Sequence, residues 1–263
     1  MTLQPLNSVG IVVPPSNPTL EIEIKRLLGD CPYLYTSRLP IFPQCDLQER
    51  NQRYLDQYLD ACLRFGSLPL SGIVVGLTGS NYALGPDGDR RFCEDISAKL
   101  SIPFVTTSLA ILELLRTLGF ERLHLELPYP QWLIDQASLY WKQAGIEVVA
   151  ANSILESLNV QDAYAIDDLD LEDYLKSLKP HDRAPILLSG TGMRTVGALE
   201  DLVDRYPVPL LSSNLASANW LLRNCGNPEM RGSILYRKLY QKLTHFASLS
   251  DWSEVDSFFN PFD

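Results

Sequence analysis

The segment APILLSGTGMRT, residues 184–195, decides the fold of this chain. It predicts a short buried strand that runs into a glycine-rich turn and then into a helix. An earlier segment, GIVVGLTGSNY at residues 72–82, has the same apolar run and turn, with Thr78 where the later segment has Thr191. The pair indicates a structural unit that occurs twice in the chain.

Strand and helix patterns alternate along the rest of the sequence. GIVVPPSNP at residues 10–18 predicts a strand and then a helix that Asn17 caps, and IPFVTTSLAILELLRTLG at residues 102–119 predicts another such pair. Residues 123–145 and 208–226 repeat these two patterns. Such alternation is typical of parallel sheets. We therefore predict an α/β protein of two pseudo-symmetric domains, each a short parallel sheet flanked by helices, with a cleft between them.

The predicted first domain consists of residues 1–116 and 215–263, and the predicted second domain of residues 117–214. Within the first domain, one helix opens with Asp46 and Glu49, which are spaced like a capping box. We expect its apolar positions to face inward, namely Leu55, Leu59, Cys62 and Leu63.

Composition and charge exclude several classes of function. The chain has a net charge of -10, which argues against nucleic acid as a partner, because phosphate binding needs clustered Lys and Arg. A small anion held by local donors stays possible. No run of 18 apolar residues predicts a membrane span, and the first residues do not form a signal peptide. The 5 cysteines include no CxxC pair, which favours free thiols in the cytoplasm over a disulfide framework or a metal site.

The predicted cleft lies where ligands bind in open α/β sheets, beyond the carboxyl ends of the strands. The loops expected there are rich in Ser, Thr, Asn and Gly and offer backbone N–H groups at the starts of helices. That composition suits a carboxylate ligand. The alternative is that these residues only cap helices, as Ser, Thr and Asn often do.

Six segments, taken in order, resemble the Asp/Glu racemase superfamily, in the branch of maleate cis-trans isomerases and arylmalonate decarboxylases. They are PPSNPTLE (14–21), GLTGSNYALG (76–85), VTTSLAILELLRTLG (105–119), LPYP (127–130), LSGTGMRT (188–195) and SSNLASANWLLRNCG (212–226). The resemblance implies a small carboxylate or dicarboxylate bound between two α/β halves, and chemistry without cofactor or metal. In isomerases and racemases of this superfamily, one cysteine on each side of the ligand moves the proton or adds to a double bond.

This chain departs from the family pattern at both cysteine positions, which fall on Leu77 and Gly190. The resemblance implies that the binding positions are kept, and Tyr129 is the nominal catalytic candidate because it matches a tyrosine that the family places at the ligand. The expected substrate-binding residues are Asn17, Thr78, Gly79, Ser80, Tyr129, Gly190, Thr191, Arg194, Ser213 and Asn214. Arg194 would pair with a ligand carboxylate or brace its loop.

Other reactive residue types are interpreted as structural. Cys62 and Cys225 fit apolar or helical positions, and Cys45 is the thiol on a plausible loop. His124 and Glu126 alternate with leucines on one strand, which allows an acid–base pair but favours a partly solvated face away from the cleft. His181 and His245 are expected at the surface.

Two hypotheses about function follow. The first is an isomerase or decarboxylase-like enzyme whose proton donor is not cysteine. The second is a catalytically inactive protein that binds a small carboxylate or serves regulation. The acidic tail SLSDWSEVDSFFNPFD, residues 248–263, is either a flexible extension or an aromatic segment that docks on this subunit or on a neighbour in a homo-oligomer.

Overall fold

The computed structural model describes residues 7–30, 32–178, 180, 182–224 and 232–249. The first half forms a parallel sheet of four strands, which are β1 (Ser8–Val13), β2 (Tyr33–Arg38), β3 (Ile73–Val75) and β4 (Phe104–Thr106). They lie in the order β2-β1-β3-β4. Every residue of β1 is buried, because this strand lies inside the sheet with helices on both faces.

The second half repeats this architecture. Its strands are β5 (Arg122–Leu127), β6 (Glu147–Ser153), β7 (Ile186–Leu188) and β8 (Leu210–Ser212). They lie in the order β6-β5-β7-β8, and all pairs are parallel. The same strand order in both halves confirms the predicted α/β fold of two similar parallel sheets.

Helices connect the strands and cover the sheets. They are α1 (Leu20–Leu28), α2 (Leu47–Leu55), α3 (Tyr58–Leu63), α4 (Gly85–Leu100), α5 (Thr107–Leu118), α6 (Gln131–Gln143), α7 (Ile154–Ser157), α8 (Asp168–Ser177), α9 (Val196–Leu202), α10 (Ser213–Asn224) and α11 (Ile234–Ser248). The helices α5 and α10 follow the equivalent strands β4 and β8 and pack against each other. The division at residues 116, 117, 214 and 215 stays a prediction.

The predicted helix from Asp46 onward is two helices in the structure. Asp46 does cap α2, because its side chain accepts a hydrogen bond from the Glu49 backbone N–H. The chain then turns before α3, which changes the face that α3 directs inward. Cys62 is buried as expected, but Leu63 is 58% exposed, so the expectation that Leu63 packs inward was wrong.

Buried hydrogen bonds connect the two halves. The Tyr82 hydroxyl lies 2.7 Å from Ser189 Oγ, and Thr107 Oγ1 lies 3.0 Å from Ser217 Oγ. All four side chains are buried. The Tyr82–Ser189 pair joins the first half to the second half, and the Thr107–Ser217 pair joins α5 to α10, the helix that follows β8. Polar contacts therefore help to hold the two sheets in a fixed relation.

A buried carboxylate, Asp89 of α4, is part of the same contact. Its oxygens accept hydrogen bonds at 2.9 Å from Thr106 Oγ1 and from the Tyr140 hydroxyl of α6 in the other half. Asp89 is fully buried. Loss of hydration raises its pKa from 3.8 to about 7, although the donors from Thr106, Tyr140 and Asn81 oppose that rise.

The raised pKa of Asp89 predicts a pH-dependent stability. Between about pH 4 and pH 7 the folded state keeps a proton that the unfolded chain has released, so the free energy of unfolding falls as pH rises through this window. The slope from this one group is at most about 1.4 kcal/mol per pH unit. Urea denaturation at a series of pH values should show that Asp89→Asn removes this contribution. Asp87→Asn, at an exposed position of the same helix, is the control, and an Asp89→Asn profile parallel to wild type would contradict the assignment.

Candidate functional site

A cavity of about 460 Å³, here called the cleft, lies between the carboxyl ends of the two sheets. Four of its walls are the loops that follow the two inner strands of each sheet. These loops contribute Pro14–Asn17 after β1, Leu77 and Gly79 after β3, Pro128–Pro130 after β5 and Gly190–Gly192 after β7. The cleft therefore lies where the topology of parallel sheets favours a ligand.

Five of the expected binding residues line the cleft: Asn17, Gly79, Tyr129, Gly190 and Thr191. Leu77 also lines the cleft and is half-buried. The other expected residues are not part of its walls.

Asn17 and Thr191 use their side chains to join the halves. Asn17 Nδ2 donates to Thr191 Oγ1 at 3.2 Å, and the Thr191 hydroxyl donates to the carbonyl of Gly76 at 2.7 Å. The Asn17 amide oxygen also accepts from the backbone N–H groups of Thr19 and Leu20, which caps α1. Both side-chain contacts are structural and both residues are buried, so the group left for a ligand at these positions is the backbone N–H of Thr191.

Tyr129 and Thr78 form a hydroxyl pair across the halves at 2.8 Å, in which either oxygen can donate. Thr78 is fully buried behind the wall. Burial raises the pKa of Tyr129 to about 12, which the hydrogen bond from Thr78 opposes. Tyr129 can therefore donate a hydrogen bond to a ligand, but it releases a proton poorly at neutral pH.

Three further expected binding residues are buried behind the cleft. Ser80 Oγ donates to Asn51 Oδ1 at 3.3 Å, and Ser213 Oγ accepts from the Gly190 N–H at 3.0 Å. The amide of Asn214 donates to Glu23 at 2.7 Å. All three support the walls from behind.

Arg194 is exposed and lies outside the cleft walls. Two roles were expected for Arg194, pairing with a ligand carboxylate or bracing its loop. Its side chain does not line the cavity, so the structure gives no support to the first of them.

Gly190 has a backbone conformation and surroundings that exclude a side chain. Its φ is +137°, a region that residues with a Cβ rarely adopt. A Cβ at this position would lie 2.8 Å from Pro128 Cγ and 3.0 Å from Pro128 Cδ. The Pro128 ring sits against a backbone in which only glycine fits.

The described cysteines do not line the cleft. Cys62 and Cys93 are buried, Cys45 is partly exposed, and none of the three belongs to the walls. Desolvation raises the pKa of Cys62 to about 12, and desolvation with the nearby Glu49 also raises that of Cys45. Neither thiol has the low pKa of a reactive cysteine. Cys225 falls outside the described residues.

His124 and Glu126 do not form an acid–base pair. His124 Nε2 lies 2.6 Å from Asp182 Oδ1, whereas Glu126 accepts from the Tyr174 hydroxyl at 2.5 Å and from the Asn152 amide at 2.9 Å. Both residues line a separate depression beside β6 and β7. The interpretation that this strand face lies away from the cleft therefore agrees with the structure. His181 falls outside the described residues.

One face of α2 forms a wall of the cleft that the sequence did not reveal. Leu47, Arg50, Asn51 and Tyr54 all line the cavity, at the i, i+3, i+4 and i+7 spacing of one helical face. Arg50 is the arginine of the walls in the described part of the chain. A cationic group thus faces the cleft from the first half.

The second half contributes a short segment opposite α2. Residues 161–164 line the cleft between α7 and α8, and Tyr164 covers Gly192 so closely that a Cβ there would lie 2.3 Å from the ring. Asp162, the acidic residue of the described walls, accepts a hydrogen bond from the Tyr164 N–H at 2.9 Å. Both halves thus close the cleft with the segment that follows their edge strand.

The arrangement supplies hydrogen-bond donors and lacks a strong base near the sheet ends. The backbone N–H groups of Gly79, Thr191 and Gly192 donate no hydrogen bond within the described part of the chain. Neither cysteine nor histidine occurs in the described walls. In the same residues, no group of three His, Cys, Asp or Glu side chains is placed to hold a metal ion.

Comparison with known proteins identifies the lineage. Residues 9–234 match the family model of arylmalonate decarboxylase. The maleate isomerase of Geobacillus stearothermophilus is 24% identical over 82% of this chain and 90% of its own. Among the described residues, no helix combines the length and apolarity needed to cross a membrane.

Two solved structures share the fold. One is the maleate cis-trans isomerase of Nocardia farcinica with a covalently bound succinylcysteine intermediate, with a TM-score of 0.75, 20% identity, and coverage of 89% of this chain and 98% of its own. The other is arylmalonate decarboxylase, with a TM-score of 0.72, 21% identity, and coverage of 89% and 99%.

Proposed function

The chain belongs to the arylmalonate decarboxylase family, and on that premise we propose that its cleft binds a small carboxylate or dicarboxylate without thiol chemistry. We further propose that the protein uses neither a cofactor nor a metal, that it is located in the cytoplasm, and that it forms a homo-oligomer. Its ligand would lie between the loops after β1, β3, β5 and β7.

Hydrogen-bond donors in the cleft are the first argument for a carboxylate ligand. The unused N–H groups of Gly79, Thr191 and Gly192 approach from both halves, and the Tyr129 hydroxyl lies beside them. Hydrogen bonds from such groups to a carboxylate are charge-assisted and roughly twice as strong as those between neutral groups. The Arg50 guanidinium adds positive charge to a chain whose net charge is -10.

The surroundings of Gly190 are the main reason for proposing that the cleft does not use a cysteine thiol. By resemblance to the family, Leu77 and Gly190 stand where the isomerases have their two cysteines. The leucine has no proton to give, and the glycine lies against Pro128 with no room for a Cβ. An intermediate like the succinylcysteine of the Nocardia farcinica enzyme requires a thiolate in contact with the ligand, and the described walls offer none.

We predict that the purified protein does not convert maleate into fumarate and does not decarboxylate an arylmalonate. Chromatography of a reaction with millimolar substrate and micromolar protein measures both products. Rates should stay at those of a protein-free sample. Turnover that scales with protein concentration would refute the exclusion of thiol chemistry.

Binding itself is tested by thermal shift against a panel of carboxylates, with chloride at equal ionic strength as the control. A ligand at 100 times its Kd stabilises the folded state by about 2.7 kcal/mol, which raises the melting temperature of a chain of this size by about 5–10 °C. No shift with any carboxylate at millimolar concentration would refute the proposal.

A second candidate function is an enzyme that uses Tyr129 as its acid. The observation that favours it is the position of the Tyr129 hydroxyl, 3.5 Å from where a Cβ of residue 190 would lie. The pKa of about 12 opposes it, because an effective acid at neutral pH titrates near that pH. Exchange of a ligand C–H proton with deuterated solvent, lost in Tyr129→Phe, would establish this function in place of simple binding.

A further inference from the structure

One peptide group occupies the same place in each half of the molecule, between a threonine and a glycine at the cleft. Thr78–Gly79 follows β3 and Thr191–Gly192 follows β7, and in both halves the threonine is the third residue after the strand. Both glycines line the cleft, and their N–H groups donate no hydrogen bond within the described part of the chain.

The carbonyl groups of these two threonines are held by buried side chains. Ser108 Oγ donates to the Thr78 carbonyl at 3.3 Å, and Asn214 Nδ2 donates to the Thr191 carbonyl at 3.3 Å. Ser108 and Asn214 are the second residues of α5 and α10, which follow the equivalent strands β4 and β8. Both are fully buried, and neither lines the cleft. The two halves therefore repeat this contact as well as the fold.

The geometry of the peptide group connects these contacts to the cleft. A peptide group is planar and almost always trans, so its C=O and its N–H point in opposite directions. A side chain that holds the Thr191 carbonyl behind the wall therefore directs the Gly192 N–H to the front of the wall, where the cavity lies. A rotated peptide group would present a carbonyl oxygen to the cleft instead, and that oxygen would repel a carboxylate.

The two halves differ in how firmly the carbonyl group is held. The Thr78 carbonyl also accepts from the Asn81 N–H at 3.0 Å, so Ser108 shares its task with a backbone turn. The Thr191 carbonyl accepts from Asn214 and from no other group in the described residues. Loss of the Asn214 side chain should therefore release its peptide group more completely than loss of the Ser108 hydroxyl releases the other.

Glu23 fixes the side-chain amide of Asn214 in the orientation that this contact needs. Nδ2 donates to Glu23 Oε2 at 2.7 Å as well as to the Thr191 carbonyl. Oδ1 is buried and has no hydrogen-bond partner among the described residues. Turning the amide over would place Oδ1 against an oxygen of Glu23 that already accepts a hydrogen bond from Thr195. The amide is thus held with its donor toward the carbonyl, although its acceptor stays unpaired.

We propose that Ser108 and Asn214 are positioning residues of the carboxylate site. Each holds a threonine carbonyl behind the wall, so that the N–H of the following glycine meets the ligand. The inference rests on the proposed function, because the carboxylate that these N–H groups meet is the ligand proposed there. Neither side chain touches the ligand, and Asn214, which Glu23 orients, has the larger effect.

NMR with selective isotope labelling observes these two peptide groups separately. Threonine followed by glycine occurs in the sequence only at residues 78–79 and 191–192. A protein that carries labelled carbonyl carbon in threonine and labelled nitrogen in glycine therefore gives one carbonyl-selected amide signal for Gly79 and one for Gly192. Thr78→Ser deletes the first signal and so assigns both. We expect saturating maleate to move both amide-proton signals downfield, as hydrogen bonds to a carboxylate do.

Asn214→Ala should abolish the downfield shift of Gly192 at saturating maleate and leave the shift of Gly79. It should also weaken maleate binding by about fivefold, which isothermal titration calorimetry measures and which corresponds to the net contribution of about one hydrogen bond. Ser108→Ala should reduce the shift of Gly79 alone, and by less, because the Asn81 N–H still holds the Thr78 carbonyl.

Thr195→Val is the matched control for Asn214→Ala. It removes another buried donor, at 2.9 Å, to the same oxygen of Glu23 and contacts neither threonine carbonyl. A loss of stability alone would be similar in both variants, whereas Thr195→Val should keep both shifts and the affinity for maleate. Circular dichroism verifies that each variant is folded, and Ser108→Ala decides the matter if Asn214→Ala does not fold.

The possible outcomes separate the inference from the proposed function. A full Gly192 shift in Asn214→Ala, an equal loss of that shift in Thr195→Val, or an unchanged Gly79 shift in Ser108→Ala overturns the inference and leaves carboxylate binding in place. Calorimetric binding of maleate to the wild type with no shift of either glycine does the same. Absence of maleate binding to the wild type overturns the proposed function itself.

Discussion

Glu23→Ala is expected to lower the free energy of unfolding by about 3–5 kcal/mol, because it removes the acceptor of four hydrogen bonds in the interior. Glu23 belongs to α1 and is 6% exposed. Its oxygens accept from the Thr195 N–H at 2.6 Å, the Val196 N–H at 2.8 Å, the Thr195 hydroxyl at 2.9 Å and the Asn214 amide at 2.7 Å. All four donors belong to the other half of the molecule.

Burial raises the pKa of Glu23, and the four donors oppose that rise. Urea denaturation at pH 7 measures the loss. Glu21→Ala is the matched control, because Glu21 lies two residues earlier on α1 and forms a more exposed ion pair with Arg38. Such pairs contribute at most about 1 kcal/mol. A Glu23→Ala protein as stable as Glu21→Ala would show that the contact does not hold the halves together.

Gly190→Cys is expected to destabilise the protein by roughly 3–5 kcal/mol, since backbone strain and overpacking each cost about 1–3 kcal/mol. The φ of +137° is unfavourable for cysteine, and its Cβ would lie 2.8 Å from the Pro128 ring, which cannot rotate away. Thermal and urea unfolding measure the effect.

Two controls separate the causes. Leu77→Cys places the same side chain on the opposite wall, where only the loss of a half-buried leucine is expected, about 1 kcal/mol. Gly119→Ala tests a positive φ alone, because a Cβ there meets nothing within 4 Å at a φ of +72°. We expect it to cost about 1 kcal/mol. If Gly190→Cys lowers the free energy of unfolding no more than Leu77→Cys and Gly119→Ala do, then Pro128 moves aside easily. The argument against a thiol at residue 190 would then be wrong.

The surroundings of Gly190 limit what a single substitution can introduce into the cleft. If residue 190 were an ordinary surface position, one substitution could place a cysteine there. The close approach of Pro128 means that the loop after β5 would have to move as well. Placing a thiol at residue 190 therefore needs a change in the Pro128 loop as well as the substitution itself.

The fold could be predicted from the sequence because its signals are local. Residues 72–82 and 184–195 each combine a short apolar run with a Gly-rich turn, and β3 and β7 are found there. The position of the cleft followed from the same observation, because parallel strands bring their carboxyl ends to one edge.

The wall formed by α2 could not be predicted because no local pattern shows which partner a polar helical face meets. The apolar pattern of residues 46–63 predicted that Leu55 and Leu63 face inward. Arg50 and Asn51, in contrast, have the ordinary spacing of surface residues. Their importance depends on the cavity between the halves, which only the assembled structure shows.

The function of the Ser, Thr and Asn residues was equally open, since caps, contacts between the halves and ligand donors use the same residue types. Asn214 illustrates the difficulty, because its main partner, Glu23, is distant in sequence. Glu23 itself follows the pattern of an exposed acid in the first turn of a helix, and nothing in that pattern indicates a buried contact.

One measurement tests the central claim, that the cleft binds a small dicarboxylate and lacks the means to transform it. Proton NMR of maleate mixed with the protein records binding and conversion in the same sample, through saturation transfer to the vinyl protons and through the separate fumarate signal. We predict saturation transfer that an excess of adipate abolishes, and no fumarate after prolonged incubation. A fumarate signal that grows with protein concentration, or no saturation transfer at millimolar maleate, would contradict the account.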